Sequence, residues 1–147
     1  MAAKLGGSVV ATDRSEASLA LTAENAQRNG AAVETVKYAF GDAVPEKLRA
    51  ADVVLLADVC YNADAPALLR ATLRSLKPGG YALGVFKIRS TEVRAVVKAF
   101  LDGMRQDGFA VASIALPRSA ICIYDATGSA LPEQGYSGIQ GWTFRRE

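Results

Sequence analysis

The stretch "LLADVCYNAD", residues 55–64, ends an apolar run on a carboxylate, Asp58, and places a phenol, Tyr61, three positions later. A carboxylate in this place accepts hydrogen bonds from backbone donors at a turn or cap, and it can equally accept from a ligand. In an open parallel sheet the carboxyl ends of the strands border the crevice where ligands bind, so Asp58 and Tyr61 would share that rim. A second carboxylate, Asp13, ends the run "SVVATD" in the same way, just ahead of Ser15 and a helical pattern. Cys60 carries a nucleophilic atom, but the chain has no histidine to activate it, so packing is its expected role.

Composition removes several chemistries. With no histidine and only two cysteines, Cys60 and Cys122, a histidine-dependent triad and a zinc site are excluded, no metal is expected, and no disulfide framework is available. The 17 basic and 15 acidic residues are spread along the chain and leave a net charge of +2, without the basic stripe that a phosphate backbone requires. Nucleic acid is therefore not the expected partner. No apolar run is long enough to cross a bilayer, and "MAAKLGG" lacks the apolar core of a signal peptide, so no membrane partner is expected. The expected compartment is the cytoplasm, with the nucleus also open. A chain of 147 residues that is 50% hydrophobic and 22% charged can bury one core, and one domain is expected.

These residues are positioned by alternating strand and helix patterns. "SVVATD", "AVETVKYAF", "ADVVLLAD" and "YALGVFKI" read as strands. "AVETVKYAF" alternates well enough for a sheet edge, whereas "ADVVLLAD" is apolar on both faces and reads as central. Helices are predicted at roughly 15–29, 65–76 and 91–106, with limits good to about 2–4 residues. The first is capped by Ser15 and buries Leu19, Ala20 and Ala23; the second carries Pro66 near its start and a stripe of Leu68, Leu69, Leu73 and Leu76. The third begins at Ser90 and turns Val93, Val96, Val97, Phe100, Leu101 and Met104 inward. The remaining runs, "FAVASIALP", "AICIYDA" and "IQGWTFRRE", are strand-like, so a mainly parallel α/β sheet finished by an antiparallel element is expected.

In order along the chain stand Asp13 closing a strand, "FGDA", "ADVCY", and "LKPGG" turning into another strand. This set resembles a class I S-adenosylmethionine-dependent methyltransferase. The Asp-x-x-Tyr pair of Asp58 and Tyr61, with the later "FKIRS", is most similar to the seven-β-strand protein-lysine methyltransferases. The resemblance implies a Rossmann-like methyltransferase sheet, S-adenosylmethionine as cofactor and a protein lysine as methyl acceptor. It implies catalytic roles for Asp58, holding the amine, and Tyr61, walling the lysine channel. It implies cofactor contacts for Asp13 at the ribose, for Phe40, Gly41 and Asp42 at the adenine, and for Ala57 through its backbone. Arg89 would meet an acidic substrate segment, and the loop 125–138 would cover or select substrate. A methyltransferase of a small molecule or nucleic acid remains an alternative, as does a non-catalytic interaction module. The Asp/Asn-Pro-Pro-Tyr of nucleic-acid amino-methyltransferases is not matched, because "DVCY" has neither proline.

The resemblance starts after the family's first strand and its Gly-rich loop. Residues 1–147 are therefore expected to form a partial methyltransferase domain that by itself binds the cofactor weakly or not at all. The strands ending at Asp13 and Asp58 would lack their central partner and either pair directly or flank a slot, with both carboxylates at one sheet edge.

Overall fold

Backbone pairing divides the strands between two sheets. The computed structural model describes residues 2–116 and 138–146; the expected strand "AICIYDA", the loop 125–138 apart from Gly138, and Cys122 lie outside the described residues. The chain forms two compact units, Met1–Ala50 and Ala51–Glu147.

In the first unit, strand β1 (Val9–Asp13) runs parallel to β2 (Val33–Lys37), with Asp13 opposite Lys37. Helix α1 (Glu16–Arg28) connects them. Its start is fixed by Ser15, whose Oγ accepts from Ser18 N at 3.3 Å, and by Asp13, whose Oδ1 accepts from Ser15 N at 2.7 Å. Its end is a Schellman closure: Gly30 N donates to Gln27 O and Ala31 N to Ala26 O, with Gly30 at φ 60°. Leu19 and Tyr38 are buried, but Ala20 and Ala23, expected inward, are exposed, as is Leu21. Alanines at helical spacing mark a face without requiring its burial. A four-residue helix, α2 (Glu46–Arg49), follows Pro45.

The second unit holds β3 (Val53–Ala57), α3 (Ala65–Arg74), β4 (Tyr81–Lys87), α4 (Thr91–Gln106), β5 (Phe109–Ile114) and β6 (Ile139–Arg146). The strand order is β3-β4-β6-β5, with β3 parallel to β4 and both pairings of β6 antiparallel. The antiparallel element is thus present as expected, but among the described residues parallel and antiparallel pairings are equal in number rather than mainly parallel. The central place predicted for "ADVVLLAD" is corrected: β3 is an edge of its sheet, and Val53 and Leu55 on it are exposed. In its own unit β1 is paired with β2, and in the other β3 is paired with β4.

The core lies on the other face of this sheet. Ala82 and Phe86 of β4, Phe144 of β6, Leu69 and Leu73 of α3, and Val97, Phe100 and Met104 of α4 are all buried. The rings of Phe86 and Phe100 meet edge to face at 5.9 Å, and those of Phe100 and Phe144 lie 5.2 Å apart. Such pairs add about 0.5–1.5 kcal/mol to the burial of their area. Leu68, Val93 and Val96, at the margins of the predicted stripes, are only half-buried. The helices themselves match their predicted spans to within two residues at either end.

Candidate active site

Asp58 follows the last residue of β3 and continues its ladder, its N–H donating to Val85 O at 2.8 Å. Its backbone has φ 53°, the only positive φ of a non-glycine residue among the described residues. An L-residue pays about 1–2 kcal/mol to adopt this conformation, and aspartate is among the few side chains that tolerate it. The turn aims the carboxylate back across the end of β4. Oδ1 accepts from Lys87 N at 3.1 Å, and Oδ2 is paired with Arg89 Nη2. Asp58 is half-buried and Arg89 exposed, so the carboxylate is fixed on the protein side and reachable from solvent.

Tyr61 stands in the segment that leaves Asp58, and it is 55% exposed. One side of this segment is anchored by Cys60, which is 1% exposed; burial pushes its thiol up to about 12, so it carries no thiolate at neutral pH. The other side is anchored by Asn62, whose Oδ1 accepts from the N–H of Ala65, the first residue of α3, at 2.9 Å. The phenol of Tyr61 is thereby held out at the strand end. Ala57, one residue before Asp58, is exposed, leaving its backbone open to approach.

In the first unit, Asp13 is the last residue of β1, and its Oδ1 is engaged by Ser15 N. Beside it, Lys37 and Glu16 pair at 2.7 Å; their hydrogen bond holds the Glu16 carboxyl below its usual range and raises the Lys37 amine. Phe40, Gly41 and Asp42 form a type II turn from Ala39, with Asp42 N donating to Ala39 O at 3.1 Å and Gly41 at φ 103°. The Asp42 carboxylate closes the same turn, Oδ2 accepting from Ala39 N at 3.3 Å. Phe40, half-buried, sets its ring against Tyr38 edge to face at 6.0 Å.

Within the second unit, the structure brings together Asp58, Lys87 N and Arg89, of which sequence reasoning linked none. Arg89, expected to meet an acidic substrate segment, is paired with Asp58 and keeps an exposed side chain. The pairing depends on the β3–β4 register, with Ala57 opposite Val85, and no local pattern reports it. Among the described residues there is no cluster of metal-ligating side chains, and no helix is long and apolar enough to cross a membrane.

Known proteins share the fold of this chain. Solved structures of similar fold include a methyltransferase from Pyrococcus furiosus, 18% identical, with a TM-score of 0.62 over 95% of this chain and 62% of that one. An S-adenosylmethionine-dependent O-methyltransferase from Thermotoga maritima is 16% identical, with a TM-score of 0.65 over 95% of this chain and 50% of that one. An S-adenosylmethionine-dependent methyltransferase from Methanosarcina mazei is 13% identical, with a TM-score of 0.58 over 98% of this chain and 84% of that one. At these identities the likeness is one of Rossmann-like fold, and the chain spans less than two thirds of the length of the Pyrococcus protein. No curated protein matches the sequence. The family described as "Methyltransferase domain" matches residues 1–80, more than half of the chain, and the chain belongs to that family.

Proposed function

We propose that this chain acts in S-adenosylmethionine-dependent methyl transfer, with a protein lysine as acceptor and the carboxylate of Asp58 as the group that orients its amine. The observation that carries this reading is the fixed Asp58 carboxylate at a strand end, turned by a positive φ and bonded to Lys87 N, with the exposed Tyr61 three residues further along the chain. Methyltransferase-domain membership supplies the reaction class.

The residues fit the cofactor one by one. Asp13 spends one carboxylate oxygen on Ser15 N, and its other oxygen suits a ribose hydroxyl. Phe40 offers a half-buried ring to the adenine, and Gly41 a backbone without a side chain; Asp42, which closes its own turn through one oxygen, has the other for an exocyclic amine. When bound, S-adenosylmethionine supplies a methyl group on a cationic sulfonium.

The chain's own residues act on the acceptor. An amine must be uncharged to attack, and a free lysine with a pKa of about 10.4 gives up roughly 4–5 kcal/mol to be so at pH 7. Asp58 accepts an amine N–H and so directs the lone pair, a gain of orientation rather than of basicity. Tyr61 presents an aromatic face that favours a methylated, cationic product.

The test is transfer of labelled methyl groups from millimolar S-adenosylmethionine to an unmethylated lysine-rich protein, followed by acid hydrolysis. Label recovered as methyl-lysine is expected. Label confined to a small-molecule acceptor, or no transfer at all, would overturn the lysine assignment.

A further inference from the structure

The pairing of Asp58 with Arg89 bears on which charge state of an amine the strand end accepts. A carboxylate within reach of an alkylamine attracts its ammonium form, which has no lone pair with which to attack. At pH 7 only about one lysine side chain in 2,500 is uncharged. A bare Asp58 would therefore collect the unreactive form.

Arg89 changes this balance. An arginine guanidinium supplies a fixed positive charge. It donates Nη2–H to Oδ2, while Lys87 N–H occupies Oδ1. Each carboxylate oxygen can accept twice, so the pair keeps acceptor positions while its net charge is zero. Stability does not account for the arrangement, since a pair this exposed contributes at most about 1 kcal/mol of coupling, which its own side-chain ordering offsets. Yet it is built on the one non-glycine residue with positive φ among the described residues.

We infer that Arg89 is a positioning residue that holds the Asp58 carboxylate charge-compensated, so that the end of β3 accepts an uncharged amine and turns away an alkylammonium ion. This rests on the reading of Asp58 as the amine acceptor, and the experiment separates the two.

The full 147-residue chain is titrated with n-butylammonium chloride at pH 7 and constant ionic strength, and the backbone amide of Lys87, bonded to Asp58, is followed by NMR. The wild type should show no saturable shift. Arg89→Gln should bind the cation at least about tenfold more tightly, Arg89→Lys should restore exclusion, and Asp58→Asn in the Arg89→Gln background should abolish the response. Equal, Asp58-dependent binding by wild type and Arg89→Gln would overturn the role of Arg89 and leave Asp58 standing as an amine site. A response in no variant, or one that survives Asp58→Asn, would overturn the Asp58 reading and the inference with it.

Discussion

Arg70 of α3 grips Asp107, just past the end of α4, with two parallel hydrogen bonds: Nε to Oδ2 and Nη2 to Oδ1, each 2.8 Å. Arg74 adds a longer contact of 3.5 Å, and the Asp107 side chain is only 11% exposed. The hydrogen bond from Arg70 holds the Asp107 carboxyl below its usual range, and Arg70 is raised in turn. Asp107→Asn should cost about 2 kcal/mol, measured as a lower denaturant midpoint. The pH dependence has a definite sign. Because the folded pKa lies below the unfolded value of about 3.9, the contribution is complete above that value and is lost as pH falls through the folded one. Wild type should therefore converge on the variant below about pH 4; a constant gap at all pH values would contradict this.

Gly103 lies where a Cβ would come 2.5 Å from Arg70 Nη1 and 2.6 Å from its Cδ. Alanine is the better helix former by about 1 kcal/mol. Gly103→Ala should nonetheless lower stability, because it displaces the side chain that holds Asp107. In an Arg70→Ala background the same substitution should become stabilising, and a double-mutant cycle reads the change of sign.

Asp58 and Asp13 should separate in function. Asp58→Ala should lower methyl transfer at least about tenfold, equivalent to about 1.4 kcal/mol, and leave cofactor affinity nearly unchanged. Asp13→Ala should chiefly weaken cofactor binding. Calorimetry with S-adenosylmethionine, set beside turnover, tests both; equal losses of affinity would assign Asp58 to the cofactor or to the fold.

The backbone at Asp58 allows a test by stability alone. Asp58→Gly and Asp58→Ala both forfeit the contacts to Lys87 N and Arg89, but only glycine is at ease at φ 53°. Asp58→Ala should be less stable than Asp58→Gly by about 1 kcal/mol in thermal or denaturant unfolding.

Cys60 should resist modification. In a Cys122→Ser background, iodoacetamide at pH 8 should label the folded chain far more slowly than the unfolded one, because the thiol is buried and pushed up to about 12. Rapid labelling of the native chain would count against its packing role.

What the sequence disclosed follows from what is local. Ser90 and the stripe ending at Met104 define α4 because cap and periodicity are written within one segment; the Oγ of Ser90 accepts from Val93 N as a cap should. The four-residue α2 is too short for any periodicity to register. β3 read as central because composition reports apolarity and not neighbours: Val53 and Leu55 are as apolar as a buried strand demands, yet they stand on an edge. At the candidate site, the place of Asp58 at a strand end was legible. Its partners were not, since Lys87 and Arg89 lie 29 and 31 residues further on and reach it only through strand register.

The position of β6 between β4 and β5 sets an order of assembly. During synthesis β5 leaves the ribosome before β6, and among the described residues β6 is the strand it pairs with. Its backbone groups must stay hydrated, or pair wrongly, until residues 139–146 arrive. That last strand also brings Phe144 to the aromatic cluster and carries Arg146, whose Nη1 bonds Arg74 O at 2.7 Å across 72 residues of sequence. Closure of this unit is thus a late, long-range event, of the kind that slows folding and lengthens exposure to chaperones.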